Sequence, residues 1–411
     1  MMLIFKLAMR NVLRNRHRSL LTILSMGGGF FLLCTMISFT EGSYSNMIDI
    51  FTGDQIGHVQ VHKDDYLVRP SLYKTLDANE LMPKLLATAQ VTALAPRIYS
   101  PSLAYGKDKT YPASVIGISP ELEAKTTRLE SKVNQGQYLT NGMTSEGYFP
   151  AMLGYSLAKN LSLTIGDELV LISQGIDGSI ANDIFIISAI VGSANSNERM
   201  NVYLSIPAMA SFLSLPADMS VVHELAIALK HQGLAMSFAN EWQKKLSSND
   251  LSVDPWQVVE SAFYNGMQAD KSGNYVSLGI IVFIISIGVL NTVLMGTLER
   301  TREFGVLKAI GTQPSAVFYM IMLESFLLSF ASCILGLLLA MPLVYWLSTA
   351  GLSMPEPIDM GGVMFDSILA ELTVFSVFAP FVVIIGTTLL VSLIPAIRAA
   401  KISPLQALQA V

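Results

Sequence analysis

Three clusters in this 411-residue chain carry side chains able to do chemistry. The run Gly57-His58-Val59-Gln60-Val61-His62 alternates with period two and predicts a strand with His58, Gln60 and His62 on one face. Two imidazoles can begin a zinc site, but no third ligand stands nearby, so an exposed polar face is the expectation. Glu324 is the only ionisable residue in the first half of a long apolar stretch. A carboxylate within a membrane is a functional candidate by default, as a proton relay, although it can also snorkel or bond a neighbouring helix. The third cluster is Glu299, Arg300, Arg302 and Glu303, followed by Phe304, Val306, Leu307 and Ile310. Gly311 suits a helix C-cap, and Pro314 opens the next helix. This pattern predicts a short amphipathic helix that offers charge and a few apolar knobs outward. An ordinary positively charged connector fits the same residues, and they leave both readings open.

Other chemistry finds no footing. There is no G-x-x-x-x-G-K-[ST] phosphate loop, no G-x-G-x-x-G turn, no G-x-S-x-G elbow and no H-E-x-x-H pair. The expectation is therefore no catalytic residue, no cofactor site and no metal site on this chain. Cys34 and Cys333 both lie in apolar runs, which argues against a disulfide framework. With 26 basic and 31 acidic residues, no electrostatic footprint for nucleic acid exists.

The elements that must position these clusters follow from charge. Only 14% of residues are charged, against roughly 25% in soluble domains, and mean hydropathy is +0.50. Four stretches, 19–40, 275–298, 325–355 and 372–397, contain no charge at all. A bilayer core of about 30 Å needs about 20 apolar residues as helix, so each can span. The spans are placed at 19–40, 275–298, 317–347 and 372–397. The first apolar run is too long for a signal-peptide core and no A-x-A site follows, so a signal anchor is expected. Basic residues gather before the first span, between the second and third (Arg300, Arg302, Lys308) and after the fourth (Arg398, Lys401). The positive-inside rule then puts both termini, the loop 299–316 and the tail 398–411 in the cytoplasm. The acidic loop 348–371 and the segment 41–274 fall on the other side. The fold class expected is an α-helical membrane protein with four transmembrane helices and a mixed α/β extracytoplasmic domain inserted between helices 1 and 2.

Within 41–274, strands are predicted at 57–62, 113–118, 168–173, 183–191, 224–230 and 251–259, with helices at 152–161 and 234–246. One porter-like subdomain would combine about 56–118 with about 220–260, and a second, about 119–216, would be inserted in it. In the first eighteen residues, Lys6, Arg10, Arg14 and Arg18 recur every four positions beside Leu3, Ile4, Leu7, Ala8 and Val12. That predicts an interfacial helix over 1–18, with cations on anionic headgroups and apolar side chains in the acyl boundary; a disordered topology signal is the alternative.

The run Glu299-Arg300-Thr301-Arg302-Glu303-Phe304-Gly305-Val306-Leu307-Lys308-Ala309-Ile310-Gly311 closely resembles the segment that defines FtsX-like permeases, particularly the MacB branch of ABC systems. The ending Pro395-Ala396-Ile397-Arg398-Ala399-Ala400-Lys401-Ile402-Ser403-Pro404-Leu405-Gln406-Ala407-Leu408 is similar to that family's P-A-x-R-A-A close. Asn11-Val12-Leu13-Arg14 through Ser19-Leu20-Leu21-Thr22 resembles its start. Gly117-Ile118, Gly136-Gln137-Tyr138-Leu139 and Gly166-Asp167 fit its ectodomain more loosely.

The resemblance implies a permease subunit that works in pairs, with a second copy or a paralogue, at the bacterial inner membrane. It implies an ATPase-coupling loop made by Glu299, Arg300, Arg302, Glu303, Phe304, Gly305, Leu307, Lys308 and Gly311, with Phe304 or Leu307 anchored in a groove of a cytoplasmic ABC ATPase dimer. ATP and Mg would be bound by that separate partner, which this chain's lack of a phosphate loop requires. A periplasmic adaptor or carrier protein is a further implied partner. The cargo would be a lipoprotein, lipid, peptide or drug. The alternative is a signal transmitter of the cell-division FtsX kind, which activates an extracytoplasmic hydrolase and transports nothing. No substrate-contacting residue is implied.

Overall fold

The structure, a computed structural model, describes residues 2–14, 16–216, 219–246, 250–360 and 363–403; the side chains of 2–5, of Arg18 and of 355–366 stand outside that description. The basic group of Arg18 and the 404–408 end of the C-terminal motif therefore lie outside the described residues.

The chain opens with α1 (Met2–Arg14) and the long α2 (Arg16–Phe51). β1 (Val59–Lys63), α3 (Ala78–Leu86), β2 (Val91–Tyr105) and β3 (Thr110–Ile118) follow. Next come α4 (Pro120–Thr126), β4 (Val133–Gly136), β5 (Phe149–Gly154), α5 (Tyr155–Leu161), β6 (Glu168–Gln174) and β7 (Ile180–Val191). β8 (Asn201–Ser205), α6 (Ile206–Leu213), β9 (Glu224–Leu229), α7 (Ala235–Leu246), β10 (Leu251–Pro255) and the single turn α8 (Trp256–Val259) lead to α9 (Ser261–Glu299). The chain then runs through α10 (Thr301–Ala309), α11 (Pro314–Thr349), the hairpin β11 (Leu352–Met360) and β12 (Val363–Ile368), and α12 (Val374–Lys401). Two compact units result: Met1–Asn46 with Gln268–Met354 and Ser367–Val411, and Met47–Met267 with Pro355–Asp366.

The first unit is helical. α2, α9, α11 and α12 are each long and apolar enough to cross a membrane. Val276, Phe283 and Ile287 of α9 stand exposed, as side chains do when the surrounding solvent is lipid. α2 meets α11 where Gly27 faces Gly336. A Cβ on Gly336 would lie 2.6 Å from the Gly27 carbonyl oxygen, so only glycine lets these backbones approach. Around that contact Phe30, Leu33, Cys34, Cys333 and Ile384 form a buried cluster, and Phe30 meets Phe381 edge-on at 4.9 Å. α12 begins with a capping box in which Thr373 and Ser376 satisfy each other's backbone donors.

The second unit is built on one sheet whose long strand β2 serves two neighbourhoods. Its first half pairs with β9, and β1 and β10 extend the sheet antiparallel. Its second half pairs with β3 on one side and β6 on the other. The pairings β3–β8, β8–β5, β5–β7 and β7–β6 then close a six-stranded barrel. Alternate residues of its strands, among them Val115, Leu153, Leu169, Leu171, Phe185, Ile187, Val202 and Leu204, are almost wholly buried. Closure leaves these strands no free edge.

Three expectations need correction. The helix expected at 152–161 begins only at Tyr155, because Phe149–Gly154 is a barrel strand between β7 and β8. Buried on both faces, such a strand reads as a continuous apolar run and loses its alternation. The strand expected to reach 259 stops at Pro255, which caps the helical turn α8. His62 and Gln60 are not on an exposed face: His62 is 1% exposed and Gln60 is buried. β1 is an interior strand, and Tyr66 stacks on the His62 ring at 5.5 Å.

Candidate functional site

α10 is a short helix held between two spanning helices by its inner face. Phe304 is 2% exposed and packs with Val317, Met320 and Ile321 of α11 and Ala396 and Ala399 of α12. Arg300, at the turn out of α9, donates to Glu324 Oε2 of α11 at 2.8 Å and to Glu303 at 3.1 Å. Its guanidinium also lies 5.2 Å from the Phe304 ring centre, a cation–π contact. Glu324, the lone carboxylate of its stretch, is thus an ion-pair partner on a neighbouring helix. Lys308 Nζ donates to the carbonyls of Ala399 (3.0 Å), Ala400 (2.5 Å) and Ile402 (2.8 Å). A cation there satisfies orphan carbonyls and the negative end of the α12 dipole. Gly311 ends the segment with φ +98°, a conformation few other residues tolerate.

The outer face is different. Glu299, Arg302, Glu303 and Gly311 are exposed, Leu307 is half-buried, and Gly305 is buried. Val306 and Ile310, four residues apart, are 47% and 76% exposed. The apolar knobs of this helix are therefore Val306 and Ile310. Phe304, expected to reach outward, belongs to the chain's own core, because three of its neighbours on α11 and two on α12 close over it. Spacing separates Val306 and Ile310, which share a helical face, from Phe304; which of the two faces turns inward is decided by α11 and α12.

In α1, Lys6, Arg10 and Arg14 are exposed and Ala8 is fully buried. Asn11 reaches Met320 Sδ of α11 at 4.0 Å. Arg14 lies 3.6 Å from Glu303, an exposed pair worth little by itself.

The second unit holds a buried charge network that sequence reasoning missed. Arg97 of β2 donates to both oxygens of Glu123 (2.6 and 3.1 Å) and to Glu224 (2.9 Å). Tyr99 donates its hydroxyl to Glu224 at 3.1 Å. His62 stands 3.4 Å from Glu224 and 3.4 Å from Asp254. Burial pulls the imidazole pKa down, but hydrogen bonds and charge from Asp254 and Glu224 outweigh it and raise the value to about 9. Among the described residues, no group of three His, Cys, Asp or Glu is arranged to hold a metal ion.

Comparison with known proteins bears on the same segments. The model of the FtsX-like permease C-terminal family matches residues 275–404, which include α10, and the model of the MacB-like periplasmic core domain matches residues 19–241. The chain belongs to the MacB-like, FtsX-like permeases. It is similar to the lipoprotein-releasing system transmembrane protein LolE of Haemophilus influenzae, at 20% identity over 80% of each chain. It is also similar to the macrolide export ATP-binding/permease protein MacB of Acinetobacter baylyi, at 22% identity over 82% of this chain and 51% of that one. The ABC transporter permease YtrF of Bacillus subtilis is 32% identical over 32% of this chain and 30% of its own. This permease thus spans about half the length of that MacB relative and about a third of YtrF.

Proposed function

We propose that the chain is the membrane subunit of an ABC system in which α10 receives the movement of a separate cytoplasmic ATPase. One observation carries this reading: the helix is tied inward at Phe304, Arg300 and Lys308 and presents Glu299, Arg302, Glu303, Val306 and Ile310 outward. Such an element can pass force, since displacing it displaces α11 and α12 together. An apolar patch excludes water from a docking contact, and the charges around it set orientation more than affinity.

ATP and Mg are bound by the partner in this reading, and two permease subunits share one ATPase dimer. The termini and α10 face the cytoplasm, and the unit containing the barrel faces the periplasm, as the distribution of basic residues favours. The printed names of the relatives, lipoprotein release and macrolide export, favour an amphiphilic cargo taken from the membrane or periplasm. A photoreactive amino acid at Ile310 tests the reading in cells. The expected adduct is a polypeptide carrying a phosphate-binding loop, identified by mass spectrometry. Adducts with lipid alone would overturn it.

A further inference from the structure

α2 and α9 touch where Ile285 packs on the bare backbone of Gly29. From that contact toward α1 they line an open cleft of about 1,000 Å³, and the lining changes character with depth. At the mouth stand Arg14, the last residue of α1, and Arg16 and His17, the first two of α2, all exposed. Arg16 makes no ion pair among the described residues, and Arg14 has the exposed contact with Glu303 at 3.6 Å. Glu299 is the one carboxylate among the described lining residues. Ser25 lies about 13 Å further along the α2 axis than Arg16, at 1.5 Å per residue. Ser25 and Asn291 of α9 both line the cleft, exposed and without a hydrogen bond among the described residues. Leu21 and Met295 supply apolar wall, and Gly288 puts no side chain into the space.

An exposed amide or hydroxyl within a spanning segment has no bulk water to bond and is costly in hydrocarbon. A phospholipid supplies what each level of the cleft lacks. Its phosphate meets the arginines, its ester carbonyls accept hydrogen bonds from Asn291 Nδ2 and Ser25 Oγ, and an acyl chain covers Leu21 and Met295. Basic pockets between spanning helices take anionic headgroups in this way. A second copy of the chain fits less well, because a two-fold contact would set the same cations against themselves.

We propose that this cleft holds one anionic phospholipid, its phosphate on Arg14 and Arg16 and its ester carbonyls on Ser25 and Asn291. The site goes beyond the coupling reading, and its test involves no ATPase, so either can fail alone. It is also distinct from the surface cations Lys6 and Arg10 of α1, which are not in the lining. The experiment places the full chain in phosphatidylcholine nanodiscs with a trace of diazirine-bearing lipid. That lipid is phosphatidylglycerol in one arm and phosphatidylcholine of the same acyl chains in the other, and adducts are mapped by mass spectrometry. Labelling of 19–25 and 288–295 is read relative to the exposed Val382 and Leu390 of α12. By that ratio phosphatidylglycerol should exceed phosphatidylcholine at least about fivefold. Arg16→Gln combined with His17→Gln should remove the excess, and Asn291→Leu, a second variant at an exposed position, should lower it at least about twofold. Lys6→Gln combined with Arg10→Gln should leave it unchanged. Three results would each overturn the proposal: equal labelling by the two lipids, an excess that survives the folded cleft variants or falls as much in the α1 variant, or no labelling of the cleft by either lipid, as a second copy seated there would produce.

Discussion

Phe304 and Ile310 lie six residues apart, and the structure assigns them opposite duties, which a pair of substitutions separates. Phe304 is 2% exposed between α11 and α12, and truncating such a side chain to alanine costs about 3–5 kcal/mol of stability. Its loss also removes the ring beneath Arg300. Ile310 is 76% exposed, so Ile310→Asp should change stability by no more than about 0.5 kcal/mol. In docking the order reverses. Fully burying an isoleucine side chain stabilises by about 1.5–3 kcal/mol; with three-quarters of its surface left to bury, Ile310 contributes about 1–2 kcal/mol. That corresponds to a roughly 5- to 30-fold change in Kd. The assays are thermal unfolding of the purified chain and titration with the ATPase, read at a temperature where both variants are folded. Phe304→Ala should melt far lower, and Ile310→Asp should melt normally and bind the ATPase at least about fivefold more weakly. Unchanged binding by Ile310→Asp, with weakened binding by a folded Phe304→Ala, would refute the assignment and make Phe304 the anchor.

Removing Arg97 as Arg97→Met leaves Glu123 buried without its cation and Glu224 with His62 alone, and the expected loss is about 3–5 kcal/mol; chemical unfolding that shows less than about 1 kcal/mol would contradict the network. The unfolding temperature should fall on both sides of neutral pH. His58 accepts the Leu229 N–H and His223 accepts the Tyr99 N–H, and burial holds both pKa values below the ordinary 6.5. Their stabilisation is complete above that value and is lost as pH falls through the lowered ones. His62, raised to about 9, contributes fully below 6.5 and loses its share as pH rises through about 9. A flat profile across that range contradicts both assignments. For topology, a cysteine at Lys159 should be labelled by an impermeant reagent from outside the cell and one at Arg302 spared, whereas the reverse would invert the orientation.

The helices able to span were legible because they needed only the spacing of charges along the chain, and the bilayer asks for no finer pattern. Their ends were not: α2 runs from Arg16 to Phe51 and α9 from Ser261 to Glu299, well beyond the uncharged runs, since a helix continues through polar residues that hydropathy treats as a boundary. β5 was lost for a related reason, because a strand paired on both sides and covered on both faces has no alternation to read. The charged turn at Glu299–Glu303 was visible by composition. Which way Phe304 points was not, because inward and outward apolar residues look alike until α11 and α12 are in place. His62 shows the limit most sharply. Its partners Glu224 and Asp254 lie more than 160 residues away, and nothing in the local pattern of β1 distinguishes a buried ion pair from a solvated face.

In the proposed mechanism the state of a bound ATPase reaches the unit containing the barrel through α10. The direct measurement places spin labels on Lys159→Cys in two copies of the assembled complex, where native Cys34 and Cys333 are buried. Distances between labels are then recorded with ATP trapped on the ATPase and with ADP. The distance distribution should shift between the two states, and Ile310→Asp should remove the shift while the ATPase still hydrolyses ATP. An identical distribution in both states, or a full shift in the Ile310→Asp complex, would contradict it.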